Sequence, residues 1–239
     1  MEKNQIITWD CIEILRGGEI LDKTIDLLCV DPPYEFISKN PQGWWFMKKE
    51  HKKHLDELNE SFWMSYDPSE FLELIKTKLK VFNAYIRTNK TLVPRYIEFA
   101  EKNWYKREIL LRLKNNPMPI NNWKYFIDKE YCVYIKESWA TFNSDLWHKN
   151  YYTYERHSIW AREYDHPTIK PLEMIERLIK ISSNEWDLVL DCYLWSWTTA
   201  VACKNTNRNF IGIEINPEYV EIAKNRLKEV DRINQQRLF

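Results

Sequence analysis

Residues capable of chemistry gather at two places in the chain. The first is Asp31-Pro32-Pro33-Tyr34, which directly follows the apolar run Ile25-Asp26-Leu27-Leu28-Cys29-Val30. Such a run reads as a buried strand, and two prolines end it, because neither can donate to a sheet ladder. A carboxylate and an aromatic ring thus sit on a stiff turn at the carboxyl end of a strand, the edge where open α/β sheets bind ligands. Taken alone, this is equally well a strand-ending turn with a surface Asp. The second place runs from Asp191 to Thr199 and on to Glu214. Its layout is strand, loop, helix, strand, acid. A loop and helix N-terminus face a ligand, and about twenty residues later an acid can take ribose hydroxyls.

The elements that must position these residues alternate between strand and helix. Gln5–Thr8 reads as a strand and Ile12–Leu15 as a helix start, broken by Gly17-Gly18. Asp67-Pro68-Ser69-Glu70 opens a helix with an acid and a proline in its first turn, and Phe71, Leu74, Ile75 and Leu79 give it an apolar face. Val81–Ile86, Glu108–Leu113 and Tyr131–Ile135 read as strands, and Pro94–Ala100 as a helix. Leu172, Ile175, Leu178 and Ile179 recur at helical spacing. Leu188–Asp191 and Phe210–Ile215 are strands, and Thr198–Lys204 and Pro217–Val230 helices. The alternation predicts an α/β fold with a mostly parallel sheet. Residues 36–66 and 137–165 have no clear period and read as long loops, which are usually functional or mobile.

The 239 residues correspond to one domain, 1–239, with room for a modest insertion. Lysine plus arginine equals aspartate plus glutamate, so net charge does not speak for nucleic acid. Lys48, Lys49, His51, Lys52, Lys53 and His54 form a local basic patch, either a solvated helix face or a set of phosphate contacts. No stretch has the apolar length of a membrane span, and the first residues lack a signal-peptide pattern. The five cysteines are scattered, with no CxxC pair. They point to reduced thiols in a cytoplasm and to no metal site.

At its C-terminal half the chain resembles the DNA amino-methyltransferases that use S-adenosyl-L-methionine. Their cofactor loop typically runs Asp-Pro-Phe-x-Gly-Ser-Gly-Thr-Thr, and here it is Asp191-Cys192-Tyr193-Leu194-Trp195-Ser196-Trp197-Thr198-Thr199. His166-Pro167-Thr168-Ile169-Lys170-Pro171 resembles the segment packed on the cofactor's methionine end. Gly212-Ile213-Glu214 resembles the ribose-binding acid. Thr8-Trp9-Asp10-Cys11 is similar to a Gly-Asp-Cys whose acid contacts adenine of the cofactor. Asn115-Asn116-Pro117-Met118-Pro119 resembles a loop lining the target-base pocket, and Asp31-Pro32-Pro33-Tyr34 then matches the catalytic motif. The catalytic motif comes first and the cofactor loop last, the order of the family's beta group.

The resemblance implies a mixed, mostly parallel, seven-stranded Rossmann-like sheet flanked by helices, in circularly permuted motif order. It implies S-adenosyl-L-methionine as cofactor and double-stranded DNA with a flipped target base as partner. The implied catalytic residues are Asp31, Pro32, Pro33 and Tyr34. Cofactor contacts are expected from Asp10, Cys11, Asp31, His166, Thr168, Lys170, Asp191, Tyr193, Trp195, Ser196, Trp197, Thr198, Thr199 and Glu214. DNA contacts are expected from Lys48, Lys49, Lys52, Lys53, Asn115 and Asn116. A target-recognition insertion is expected at about 120–165 and a mobile loop at about 36–66. An initial Asp in the catalytic motif favours adenine N6, with cytosine N4 as the alternative within the class. A homodimer and a cognate restriction endonuclease are the further partners the resemblance admits.

One departure stands out. The chain has four glycines and twelve tryptophans. Exchanging every tryptophan for glycine would bring glycine to about 7%, the average for soluble domains. Trp9, Trp195 and Trp197 all stand where the family has glycine, and Trp104 and Trp186 where a helix end and a turn want one. As written, the loop is expected to bind the cofactor badly, and the alternative from a different class is a DNA-binding relative that has lost catalysis. A source that reads UGA as glycine would explain the pattern, and Arg87 and Arg112, in apolar strand settings, would then be related recodings of tryptophan.

Overall fold

The computed structural model describes residues 2–32, 66–115, 128–143, 149–154, 171–194 and 197–236. In chain order the elements are β1 (Gln5–Thr8), α1 (Cys11–Gly17), β2 (Leu27–Val30), α2 (Pro68–Lys78), β3 (Asn83–Thr88), α3 (Val93–Lys102), β4 (Lys106–Lys114), β5 (Lys129–Lys136), β6 (Tyr151–Tyr154), α4 (Leu172–Ser182), β7 (Leu188–Asp191), α5 (Thr198–Asn205), β8 (Asn209–Glu214) and α6 (Pro217–Gln236). The strands form one sheet in the order β1-β8-β7-β2-β3-β5-β4-β6. Pairs from β1 through β3 are parallel. β5 runs antiparallel to both β3 and β4, and β6 adds in parallel to β4. The sheet is mixed and mostly parallel as expected, with eight strands where seven were expected. The addition is β6, whose residues Tyr151-Tyr152-Thr153-Tyr154 fall in a stretch read as loop.

The central strands are buried on both faces, as parallel strands covered by crossover helices must be. Their side chains alternate between two apolar clusters. Leu28, Val30, Leu188, Leu190, Ile211 and Ile213 face one, with α1, α2 and α3. Leu27, Cys29, Val189 and Phe210 face the other, with α4, α5 and α6. On α2 the spacing of Phe71, Leu72 and Ile75 makes one face, and all three are fully buried. Each such side chain contributes roughly 1.5–3 kcal/mol of transfer free energy. The helix begins where the sequence says it should: Asp67 Oδ1 accepts from the Ser69 N–H at 2.9 Å, and Pro68 occupies the first turn, where its missing N–H costs nothing. Among the described residues, no helix is long and apolar enough to cross a membrane.

Direction decides what meets at the edge. β2, β3, β4, β7 and β8 all run the same way. Their carboxyl ends therefore bring Asp31, Arg87, Asn115, Asp191 and Glu214 to one edge of the sheet. Within the 120–165 interval, 129–136 and 151–154 are sheet strands.

Candidate active site at the carboxyl edge of the sheet

Asp31 leaves β2 directly and lies beside the end of β3. Its Oδ2 is 3.7 Å from Nε of Arg87. Arg87 is buried although it occupies a strand whose other residues are Asn83, Ala84, Tyr85, Ile86 and Thr88, all buried too. Burial alone would lower the guanidinium's pKa, but the Asp31 carboxylate outweighs it and holds the group above its ordinary value. Arg87 is absent from the residues expected at the site. A lone cation within an otherwise buried strand demands a counter-charge, and that signal could have found it. The recoding expectation for Arg87 and Arg112 meets a different arrangement, because each has a carboxylate at hand. Arg112 Nη1 donates to Glu130 Oε2 at 2.6 Å, directly across the β4–β5 register.

Asp31 and Arg87 also line a cavity of about 570 Å³, with Tyr85, Tyr134, Arg112 and Met174 among its other walls. It lies along β3, β5 and β4 beneath α4. The Tyr85 and Tyr134 rings stack there at 4.2 Å. Their hydroxyls both meet Ser182 Oγ of α4, at 2.8 and 2.9 Å. That network fixes α4 against the sheet and shapes one wall of the cavity.

One strand over, Asp191 ends β7. It is buried, and its Oδ1 accepts from the Tyr193 N–H at 3.1 Å. Burial pushes its carboxyl up to about 6, against the opposing pull of Arg87. The loop that follows is tied to β8 by the Leu194 N–H, which donates to the Ile213 carbonyl at 3.0 Å. Close approach is possible because residue 212 is glycine; a Cβ there would come within 2.6 Å of the Leu194 side chain. The Tyr193 hydroxyl reaches Cys11 at the start of α1. The ring packs against Phe71 at 5.7 Å and Tyr66 at 6.0 Å in the α1–α3 cluster. Thr198 and Thr199 open α5 and are buried. Trp197 sits just before them with a left-handed backbone, φ 45°, and its fully enclosed indole belongs to the α4–α6 cluster, with the Arg226 guanidinium 4.9 Å from the ring.

Glu214 closes β8. It is buried, and its Oε1 accepts from the Asn216 N–H at 2.9 Å. Its backbone carbonyl accepts from the Trp9 N–H at 3.2 Å, which draws the β1–α1 turn to the same corner. There Asp10 caps α1: Oδ1 accepts from the N–H groups of Ile12 and Glu13 at 2.9 and 3.0 Å. Cys11 is buried behind it, and desolvation pushes its thiol up to about 12. Asn115 is exposed at the end of β4. The structure thus brings Asp10, Cys11, Asp31, Pro32, Asp191, Thr198, Thr199 and Glu214 to one edge. Pro33, Tyr34, Lys48, Lys49, Lys52, Lys53, Asn116, His166, Thr168, Lys170, Trp195 and Ser196 lie outside the described residues.

Four carboxylates, Asp10, Asp31, Asp191 and Glu214, thus stand at or just after the ends of neighbouring parallel strands, one of them followed by proline. Residues 25–225 match the DNA methylase family of N6 and N4 amino-methyltransferases. The chain belongs to this family. Among relatives of this methylase, the type II methyltransferase M.HpaI of Haemophilus parainfluenzae is 26% identical over 249 residues, 93% of this chain and 74% of that protein. The DNA adenine methyltransferase YhdJ of Escherichia coli K12 is 27% identical over 95% of this chain and 83% of its own. The crystal structure of M1.HpyAVI matches this methylase with a TM-score of 0.69 and 27% identity, covering 93% of this chain and 98% of that one. That protein has also been solved as its SAM complex, which matches equally well in TM-score.

Proposed function

We infer that this methylase transfers a methyl group from S-adenosyl-L-methionine to the exocyclic N6 of adenine in DNA. The observation that carries the reading is Asp31 at the end of β2, followed at once by Pro32, on the same sheet edge as Asp191 and Glu214. The residues present suit the donor. Glu214 stands at the strand end where a ribose diol is taken. The buried Asp191 fixes the loop backbone through Tyr193. Residue 197 has the left-handed backbone that lets a loop approach a ligand closely. When bound, the donor supplies an electrophilic methyl on a sulfonium.

The chain's part is positioning and electrostatics. An exocyclic amine on a purine has its lone pair delocalised into the ring and is a poor nucleophile. Asp31 and the Pro32 carbonyl accept its two hydrogens and favour a pyramidal nitrogen with a free lone pair. Arg87 sets a buried positive charge beside Asp31. Tyr34 stacks on the base once it has left the helix. The relative named as a DNA adenine methyltransferase supports N6 over cytosine N4. Target recognition is proposed for the parts of 120–165 outside β5 and β6, and phosphate contacts for Lys48, Lys49, Lys52 and Lys53; the loop expected at 36–66 lies, but for Tyr66, outside the described residues. The type II relatives support a cognate restriction endonuclease as partner, and the reading carries a cytoplasmic location and a homodimer. Transfer of a labelled methyl group from the donor to DNA, RNA or protein by the chain carrying Trp195→Gly and Trp197→Gly tests the reaction class. Label in DNA is expected; label confined to RNA or protein would overturn it.

A further inference from the structure

Among the described residues, six that are not glycine have a positive φ: Asn4, Lys23, Trp104, Trp186, Trp197 and Asn207. Asparagine tolerates this region, but for a bulky residue it is a genuine outlier. Only five tryptophans lie among the described residues, and three of them are here. A residue type that should avoid the left-handed region is concentrated in it.

Each site is a turn with a glycine position. Trp104 follows α3. Its N–H donates to the Glu101 carbonyl at 3.1 Å, and the Tyr105 N–H donates to the Ala100 carbonyl at 2.9 Å. That pair of bonds is a complete Schellman motif, whose left-handed residue is usually glycine and sometimes asparagine. The end of α5 has the same pair, Asn207 to Lys204 and Arg208 to Cys203, and there the left-handed residue is Asn207. Trp186 is the third residue of a turn closed by the Asp187 N–H on the Asn184 carbonyl at 3.2 Å. With φ negative at Glu185 and +69° at Trp186, this is the pattern that calls for glycine at the third place. Trp197, φ 45°, lies in the loop that enters α5. Exposure agrees. Trp104 is 92% exposed and Trp186 69%, which wastes a large apolar side chain and suits a residue with none.

We propose that Trp104, Trp186 and Trp197 are glycine in the natural polypeptide, encoded by a UGA codon that the source reads as glycine. The inference does not rest on methyl transfer. Trp104 and Trp186 immediately precede β4 and β7, at the edge of the sheet opposite Asp31 and Glu214. Its consequence for the site is that residue 197 enters α5 with no side chain, so the loop backbone itself faces the donor.

Peptide mass spectrometry of the protein isolated from its source, covering residues 101–105 and 183–187, is the direct test. Glycine masses at 104 and 186 are expected, and tryptophan masses would overturn the proposal, whatever the outcome of any methyl-transfer assay. In the recombinant chain, Trp104→Gly and Trp186→Gly are each expected to raise Tm by about 2–4 °C, and more than Trp104→Ala and Trp186→Ala, which keep the Cβ that the left-handed backbone resists. Equal gains from alanine, or a fall with glycine, would remove the backbone argument.

Discussion

Nε of Arg87 lies 3.7 Å from Oδ2 of Asp31, so the carboxylate that is to hold the target amine shares a buried cation. Removing Arg87 takes that cation from Asp31 and from the buried Asp191 alike. Arg87→Gln should therefore cost on the order of 3 kcal/mol of folding stability, read from urea unfolding of the two proteins side by side. A loss no larger than that of an exposed ion pair would mean that the contact contributes little.

The same pair predicts a catalytic effect. Asp31→Asn replaces one acceptor oxygen by an N–H₂ that points a donor at the amine. Methyl transfer by a chain carrying Trp195→Gly and Trp197→Gly should fall by roughly 10²–10³-fold, while DNA affinity at fixed salt is unchanged. An equal loss of DNA affinity would make Asp31 a binding residue only.

Asp191 predicts a pH dependence. Burial raises its folded pKa to about 6 from 3.8. Between these values the folded protein holds the proton and the unfolded chain does not, so this group's contribution falls as pH rises from about 4 to 6 and is level above that. Its cost at pH 7 is roughly 2–3 kcal/mol, with Arg87 and Asp31 as the charged neighbours. Asp191→Asn keeps an acceptor for the Tyr193 N–H. It should be more stable than the parent at pH 7, with an advantage that shrinks by pH 4. Stability curves that stay parallel across this range would refute the assignment.

Thiol chemistry should be silent in the folded state. Burial pushes Cys11 and Cys132 up to about 12 and Cys29 up to about 11, and Cys192 and Cys203 are also buried and raised. Thiolates are the reactive form, so alkylation at pH 8 should label these cysteines only after denaturation. Rapid labelling of native protein at Cys29 or Cys192 would contradict the burial of β2 and the loop after β7.

Much of this was legible in the sequence, for local reasons. Leu188–Asp191 is an apolar run ended by an acid, and Asp67-Pro68 is a cap and first-turn pair; both announce themselves within a few residues. β6 does not, because Tyr151-Tyr152-Thr153-Tyr154 has no alternation and becomes a strand only through its register with Leu111–Lys114. The partnership of Arg87 with Asp31 was hidden for a similar reason. It depends on β2 and β3 being neighbours in parallel, a tertiary fact. The place of Tyr193 in the loop follows from the motif, whereas the packing of its ring with Tyr66 and Phe71 is a tertiary fact. The glycine-like character of Trp104 and Trp186 was readable from turn chemistry, and the backbone made it specific.

The modified base itself is the most direct readout of what Asp31 and Pro32 hold. DNA exposed to donor and to the chain carrying Trp195→Gly and Trp197→Gly should be digested to nucleosides and resolved by mass. N6-methyladenine is expected, strongly reduced when Asp31→Asn is added. N4-methylcytosine in its place, or no methylated base, would contradict the adenine reading.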